Sequence, residues 1–179
     1  MGLKRLLSLL ILTTILAACS TTPSYRIERT VDLQRPTEET ILYFVPFLPV
    51  LAPEELSSDL FNQIVDGFDG AAAGSGLSAL ILKREVSSVD SAWLGQQYYV
   101  TGSVFAYGQD SGCCSTEVKL STRLQLYQPR TPHPVLRIDL PYRILFDHDR
   151  SNLEIEWKKM TASLAEQLRS ALLAEIAPL

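Results

Sequence analysis

Three cysteines and two histidines are the residues of this 179-residue sequence best suited to chemistry, and most stand far apart. Cys19 closes the run Leu16-Ala17-Ala18-Cys19, whereas Cys113 and Cys114 are adjacent and follow Asp110-Ser111-Gly112. Adjacent cysteines can bond to each other only through a strained small ring, because ordinary bridges need particular Cα separations. A dithiol redox site usually shows Cys-x-x-Cys spacing, which is absent. Several readings stay open: a vicinal disulfide that locks a turn, an intermolecular bridge, two reduced thiols, a soft-metal site, or a turn with incidental cysteines. His133 lies in Pro132-His133-Pro134 and reads as a turn residue. His148, in Asp147-His148-Asp149, is either a ligand between carboxylates or part of a solvated link; no second ligand cluster accompanies it, so no metal is expected. Residues 70–76 (GAAAGSG) carry glycines but follow a predicted helix instead of opening one, which argues against a phosphate loop. No Gly-x-Ser-x-Gly motif or other nucleophile–base constellation occurs, so neither an enzyme nor a cofactor is expected.

Cys19 gains its meaning from what precedes it. Lys4 and Arg5 form a basic start, residues 6–16 are an apolar run broken only by Ser8, Thr13 and Thr14, and Ala17-Ala18 supply a small-residue cleavage site. Those are the three parts of an export signal. The run is too short to span a bilayer, which needs about 20 apolar residues, and a buried helix would not end in Ala-Ala-Cys before a polar stretch. Leu16-Ala17-Ala18-Cys19 resembles the lipobox of bacterial lipoproteins, in which the cysteine thiol is acylated and becomes the first residue. The resemblance implies a signal over residues 1–18 and a lipid on Cys19. Ser20, where Asp would signal inner-membrane retention in diderm bacteria, implies the periplasmic face of an outer membrane.

Removal of residues 1–18 leaves 161 residues with 14 basic against 20 acidic side chains, a net charge of −6. One chain of this length builds a single core. No basic cluster is present, so nucleic acid is not expected as a partner. Residues 19–40 are polar, include Pro23 and Pro36, and read as a flexible tether before a domain spanning 41–179.

Within that domain, residues 41–46 (ILYFVP) read as a buried strand. Pro53-Glu54-Glu55 opens a helix, with acids near its positive end, and Leu56, Leu60, Ile64 and Phe68 form its apolar face. Residues 77–83 (LSALILK) are a second strand, so strand–helix–strand implies a parallel pair. Residues 85–97 read as a short helix or as a loop that contacts a partner. Three segments then alternate with period two: Tyr98–Gly108, Thr116–Tyr127 and residues 136–144, an antiparallel meander with turns at 109–115 and 128–134. Pro141 suggests an edge position. Ser151-x-x-Glu154 reads as a capping box for a last helix with Leu153, Trp157, Met160, Leu164, Leu168, Leu172 and Ile176 on one face, stopped by Pro178. The whole is α/β: a two-layer sandwich with a five-stranded mixed sheet and both helices on one face.

Alternation puts Val100, Val104 and Ala106 under the helices and leaves Tyr99, Phe105, Tyr107 and Tyr127 outside, with Lys119 and Arg123. Cross-strand aromatic pairs can serve the sheet alone, but clustered tyrosines and arginine on an open face also match a protein-binding surface. The strand ending in Val45-Pro46-Phe47 and the segment Tyr99-Val100-Thr101-Gly102-Ser103-Val104 resemble a superfamily of envelope lipoproteins. It includes the TolB amino-terminal domain, the penicillin-binding-protein activators and the curli-secretion lipoprotein. That resemblance implies a non-enzymatic, lipid-anchored accessory component that binds another envelope protein or complex; the oligomeric state stays open. The alternative, a lipopolysaccharide-assembly lipoprotein, tends to have Gly and an aromatic after its cysteine, where this chain has Ser20-Thr21-Thr22.

Overall fold

The structure, a computed structural model, describes residues 25–29, 33–36, 39–83 and 86–177. The signal at residues 1–18, Cys19, Glu85 and Pro178 lie outside the described residues. The chain is α/β and runs β1 (Arg26–Arg29), β2 (Thr40–Phe44), β3 (Leu48–Pro49), α1 (Glu54–Asp66), α2 (Phe68–Ala71), β4 (Leu77–Ile81), a 3-10 turn (Val86–Ser88), α3 (Ser91–Leu94), β5 (Tyr98–Ser111), β6 (Ser115–Tyr127), β7 (Leu136–Asp147) and α4 (Leu153–Ile176). One mixed sheet has the order β1-β7-β6-β5-β2-β4, with β3 pairing β5. β4, β2 and β5 are parallel, while β5, β6, β7 and β1 are antiparallel.

The sheet has seven strands where five were expected. β3 is two residues long and β1 four, too short to leave a periodic signal. β1 also lies within the expected tether: Arg26–Arg29 pairs with Leu136–Asp139 on the outer edge of β7. Pro141 sits just beyond this coverage, where the missing N–H costs no ladder bond.

α1 and α4 pack together and bury one sheet face. Leu56, Leu60 and Ile64 of α1, and Met160, Leu164, Leu168, Leu172 and Ile176 of α4, meet Leu42, Phe44, Val100, Leu124, Ile138 and Leu140 in one core. Such side chains contribute about 1.5–3 kcal/mol each on full burial. α4 starts one residue later than the capping-box reading. Asn152 is its N-cap and accepts from Ile155 N–H, while Ser151 donates its hydroxyl to Glu156.

Two glycines lie close to a neighbouring side chain, a movable guanidinium at Gly67 and a buried ring at Gly102. A Cβ at Gly67 would lie 2.3 Å from the Arg169 guanidinium, which caps the end of α1 by donating to the Gln63 carbonyl at 3.1 Å. A Cβ at Gly102 would lie 2.3 Å from the Phe47 ring. Phe47 is buried and edges onto Phe61, so the loop after β2 is seated on β5 where β5 has no side chain. The two segments Val45-Pro46-Phe47 and Tyr99–Val104 therefore meet as one packing unit.

Candidate functional site

The sheet face away from α1 and α4 carries most of the residues singled out from the sequence. Tyr99 and Tyr127 are directly opposite in the β5–β6 ladder, with rings stacked 4.4 Å apart and 4° from parallel. Tyr43 of β2 pairs with Tyr99 in the next strand, and Trp93 of α3 sits edge-on to Tyr43 at 5.1 Å. Leu80 of β4, half exposed, is opposite Tyr43. Leu80, Tyr43, Tyr99 and Tyr127 thus form an apolar row running across four strands. Tyr43 and Trp93 were not expected in it. The alternation of Tyr43 with the buried Leu42 and Phe44 carried that signal for the tyrosine; nothing local did so for Trp93.

Burial and then the charge of Tyr127 push the Tyr99 phenol up to about 12. The Tyr99 ring is therefore neutral at physiological pH.

Two rungs along, Arg123 lies opposite Asp139 and makes a bidentate pair, Nε to Oδ1 at 2.7 Å and Nη2 to Oδ2 at 2.8 Å. The other side of its guanidinium lies over the Phe105 ring, 4.6 Å from the centroid. This contact is a cation–π pair. Arg123 is held on both sides, and the hydrogen bonds to Asp139 raise its already high pKa. Arg26–Glu28 and Arg137–Glu28 continue the charge pairing toward β1, and Glu117 is paired by both Lys119 and Arg143. Those two cations hold the Glu117 carboxyl below the usual carboxylate range. These charges are paired with one another, which suits recognition better than proton transfer.

Tyr107 is not on this face. The register shifts at Phe105, where a β-bulge inserts one residue into β5, so Val104 opposes Thr122 while Ala106 opposes Ser121. An extra residue reverses every later side chain. Tyr107 is thereby turned to the helix side, opposite Leu120 and edge-on to Trp157 of α4 at 6.3 Å, and Ala106 is turned outward. Strict alternation through Tyr98–Gly108 missed the bulge because no Gly or Pro marks Phe105.

Residues 86–97 partly cover the open face at its β2 end. Asp90 caps α3 by accepting from Trp93 N–H at 2.9 Å, and the Gly95 carbonyl accepts from Arg130 N–H at 2.7 Å. Val45 and Leu94 are buried outside the main core. Cys113 and Cys114 occupy the β5–β6 hairpin tip as expected, both exposed, with Sγ atoms 3.1 Å apart. His148 approaches this tip: its N–H donates to the Cys114 carbonyl at 2.9 Å, and its Nε2 shares a 2.8 Å hydrogen bond with Thr116. Among the described residues no group of three or more His, Cys, Asp and Glu side chains is placed to hold a metal ion. Nor is any helix among them long and apolar enough to cross a membrane.

No protein-family model matches the chain, and no curated protein is detectably similar to it in sequence. Solved structures resemble it in fold. A PelC dodecamer from Paraburkholderia phytofirmans superposes with a TM-score of 0.52 at 13% identity, covering 83% of this chain and 98% of that one. A PelC point variant from the same organism, also a dodecamer, gives a TM-score of 0.54 at 12% identity over 83% and 96%. The chain shares the fold of PelC. A lipoprotein from Neisseria meningitidis superposes at a TM-score of 0.45 and 11% identity, covering 73% of this chain and 99% of that one. At these identities the likeness to PelC concerns fold alone, and the roles of the face and the hairpin tip rest on this chain's own residues.

Proposed function

We propose that the protein is a lipid-anchored, non-enzymatic component of a bacterial envelope complex that binds its partner through the open sheet face. The observation that carries this reading is the in-register row Leu80-Tyr43-Tyr99-Tyr127 beside the clamped Arg123, on a face that neither long helix covers. Aromatic residues and arginine at the centre of an exposed patch dominate binding energy at protein interfaces. Their partners within the chain pre-order them, so binding would cost little side-chain entropy.

The lipobox-like Leu16-Ala17-Ala18-Cys19 supports the anchor, and Ser20 favours the periplasmic face of an outer membrane. β1 sharpens this reading. Arg26, where the chain joins β7, is only seven positions after Cys19. Fully extended, that stretch reaches about 25 Å, so the β1–β7 edge would be held close to the lipid surface. The finer kinship with the TolB, penicillin-binding-protein-activator and curli-secretion group belongs to this same reading. Because the PelC structures are dodecamers, further copies of this chain are among the partners to test.

A photo-crosslinking residue placed at Tyr127 of the intact lipoprotein in cells tests the surface, with the exposed helix position Ala162 as control. The reading expects a discrete crosslinked product from position 127 alone, identified by mass spectrometry as an envelope protein or as a second copy. Equal products from both positions, or none from 127, would overturn it. Cys19→Ala should move the chain out of the membrane fraction, and an unmodified Cys19 in the mature native protein would refute the anchor.

A further inference from the structure

The β5–β6 hairpin ends in a feature that the binding reading does not use. Gly112 N–H donates to the Ser115 carbonyl at 2.9 Å, which leaves Cys113 and Cys114 as the two central residues of the turn. Both are exposed, both carry free thiols, and their sulfurs are in contact at 3.1 Å. The turn is fixed on either side. Thr116 is opposite Ser111 in the ladder and donates its hydroxyl to it, and the Cys114 carbonyl is held by His148 N–H. A pair of sulfurs this close and open to reagents can meet without the hairpin opening, although the small ring they close is strained. Bringing them to a disulfide length of about 2.05 Å requires closure by roughly an ångström.

We propose that Cys113 and Cys114 are a two-electron thiol–disulfide site, closed to a vicinal disulfide by exchange with a low-molecular-weight disulfide such as oxidised glutathione. A thiolate of the pair attacks one sulfur of the reagent, forming a mixed disulfide and releasing one glutathione thiolate. The second thiol of the pair, as its thiolate, attacks the protein sulfur of that mixed disulfide and releases the second glutathione. The pair loses two protons and two electrons, and the reagent is reduced to two thiols. The hydrogen bond shared with Cys113 raises the Cys114 thiol pKa first, then desolvation and the charge of Asp147. The ring closes outside the core, so the redox state alters the tip while the fold stays as it is.

The test uses the full-length lipoprotein in native membrane vesicles, treated with oxidised glutathione, quenched with an alkylating agent and analysed by peptide mass spectrometry. The peptide holding both cysteines should be two hydrogens lighter and resist alkylation until reduced, and the protein should stay monomeric on a non-reducing gel. Cys114→Ser and Cys113→Ser should each stop at a stable one-glutathione adduct on the remaining thiol. Phenylarsine oxide, which bridges neighbouring thiols, should label the reduced wild type and neither variant. A disulfide-linked dimer, a persistent glutathione adduct on the wild type, or no reaction at all would overturn the proposal. The melting temperature should be the same before and after oxidation, and a large change would show that the turn reaches the core.

Discussion

The two faces of one sheet are built on opposite rules. Under α1 and α4, side chains are chosen for volume: Leu42, Phe44, Val104, Leu124 and Ile138 are all fully buried, and Gly102 is bare so that Phe47 can lie on it. On the other face, side chains are chosen for pairs. Tyr99 stacks on Tyr127, Arg123 is gripped by Asp139 and Phe105, and Glu117 is shared by Lys119 and Arg143. A close-packed core loses contact and gains cavity when any atom is removed. A paired, half-wet face loses only one modest interaction at a time. The helix side should therefore decide whether the chain folds, and the open side what it touches.

The sharpest way to break this contrast is to disturb the packing of the helix side at two places. Leu164→Ala removes a fully buried side chain between α4 and the sheet and should cost about 2–5 kcal/mol. Gly102→Ala should cost about 1–3 kcal/mol by overpacking, because the new methyl would meet the Phe47 ring. Its reading is specific: Phe47→Leu in the same chain should return part of the loss. Chemical denaturation of the three variants checks both, and a Gly102→Ala protein as stable as the parent would show that the Phe47 loop is not seated on β5.

The bulge makes a narrower comparison, between neighbours two residues apart. Tyr107 touches Trp157 on the helix side, while Phe105 touches Arg123 on the open side. Tyr107→Ala should lower stability by about 2–4 kcal/mol, toward the range of aromatic core truncations. Phe105→Ala should cost about 0.5–1 kcal/mol, the size of an exposed cation–π contact, and should weaken any crosslink from position 127. If the two melting curves change in the opposite order, β5 has no register shift and strict alternation holds.

These differences mark where the sequence was legible. Short apolar runs located the parallel pair, and periodicity the meander and the last helix, where β6, β7 and α4 each bury four or more apolar residues. Periodicity placed Tyr99, Phe105, Tyr127 and Arg123 on the open face for the same reason, and the adjacent cysteines at a turn. What it missed is held by contacts between segments distant in the chain. β1 is a strand because β7 has an unpaired edge, not because RIER has a strand pattern. Phe105 bulges where β5 and β6 must share one twisted ladder, and Trp93 reaches Tyr43 through a loop anchored to the β6–β7 turn by Gly95 and Arg130. Asn152 outcompeted Ser151 as the helix cap although both residue types suit it. Local preference does not separate two good caps one residue apart.

The smallest expected effect is a proton on the aromatic row. Tyr99 ionises near pH 12 because burial, first, and the charge on Tyr127, second, disfavour its phenolate. An unfolded tyrosine ionises near 10. The folded pKa is the higher one, so Tyr99 contributes stability that is fully present below pH 10 and is lost as the pH rises through about 12. Ultraviolet titration of the wild type against Tyr99→Phe should assign to Tyr99 an absorbance change near pH 12. In Tyr127→Phe the ring stack survives but the neighbouring charge does not, so the Tyr99 step should move down only part of the way toward 10. A full return to 10 would mean that the charge, not burial, sets the shift, and that this end of the open face is wetter than its stacked rings imply. Occupation of the face by a partner should move the step the other way, further up, because a covered phenol is harder still to ionise.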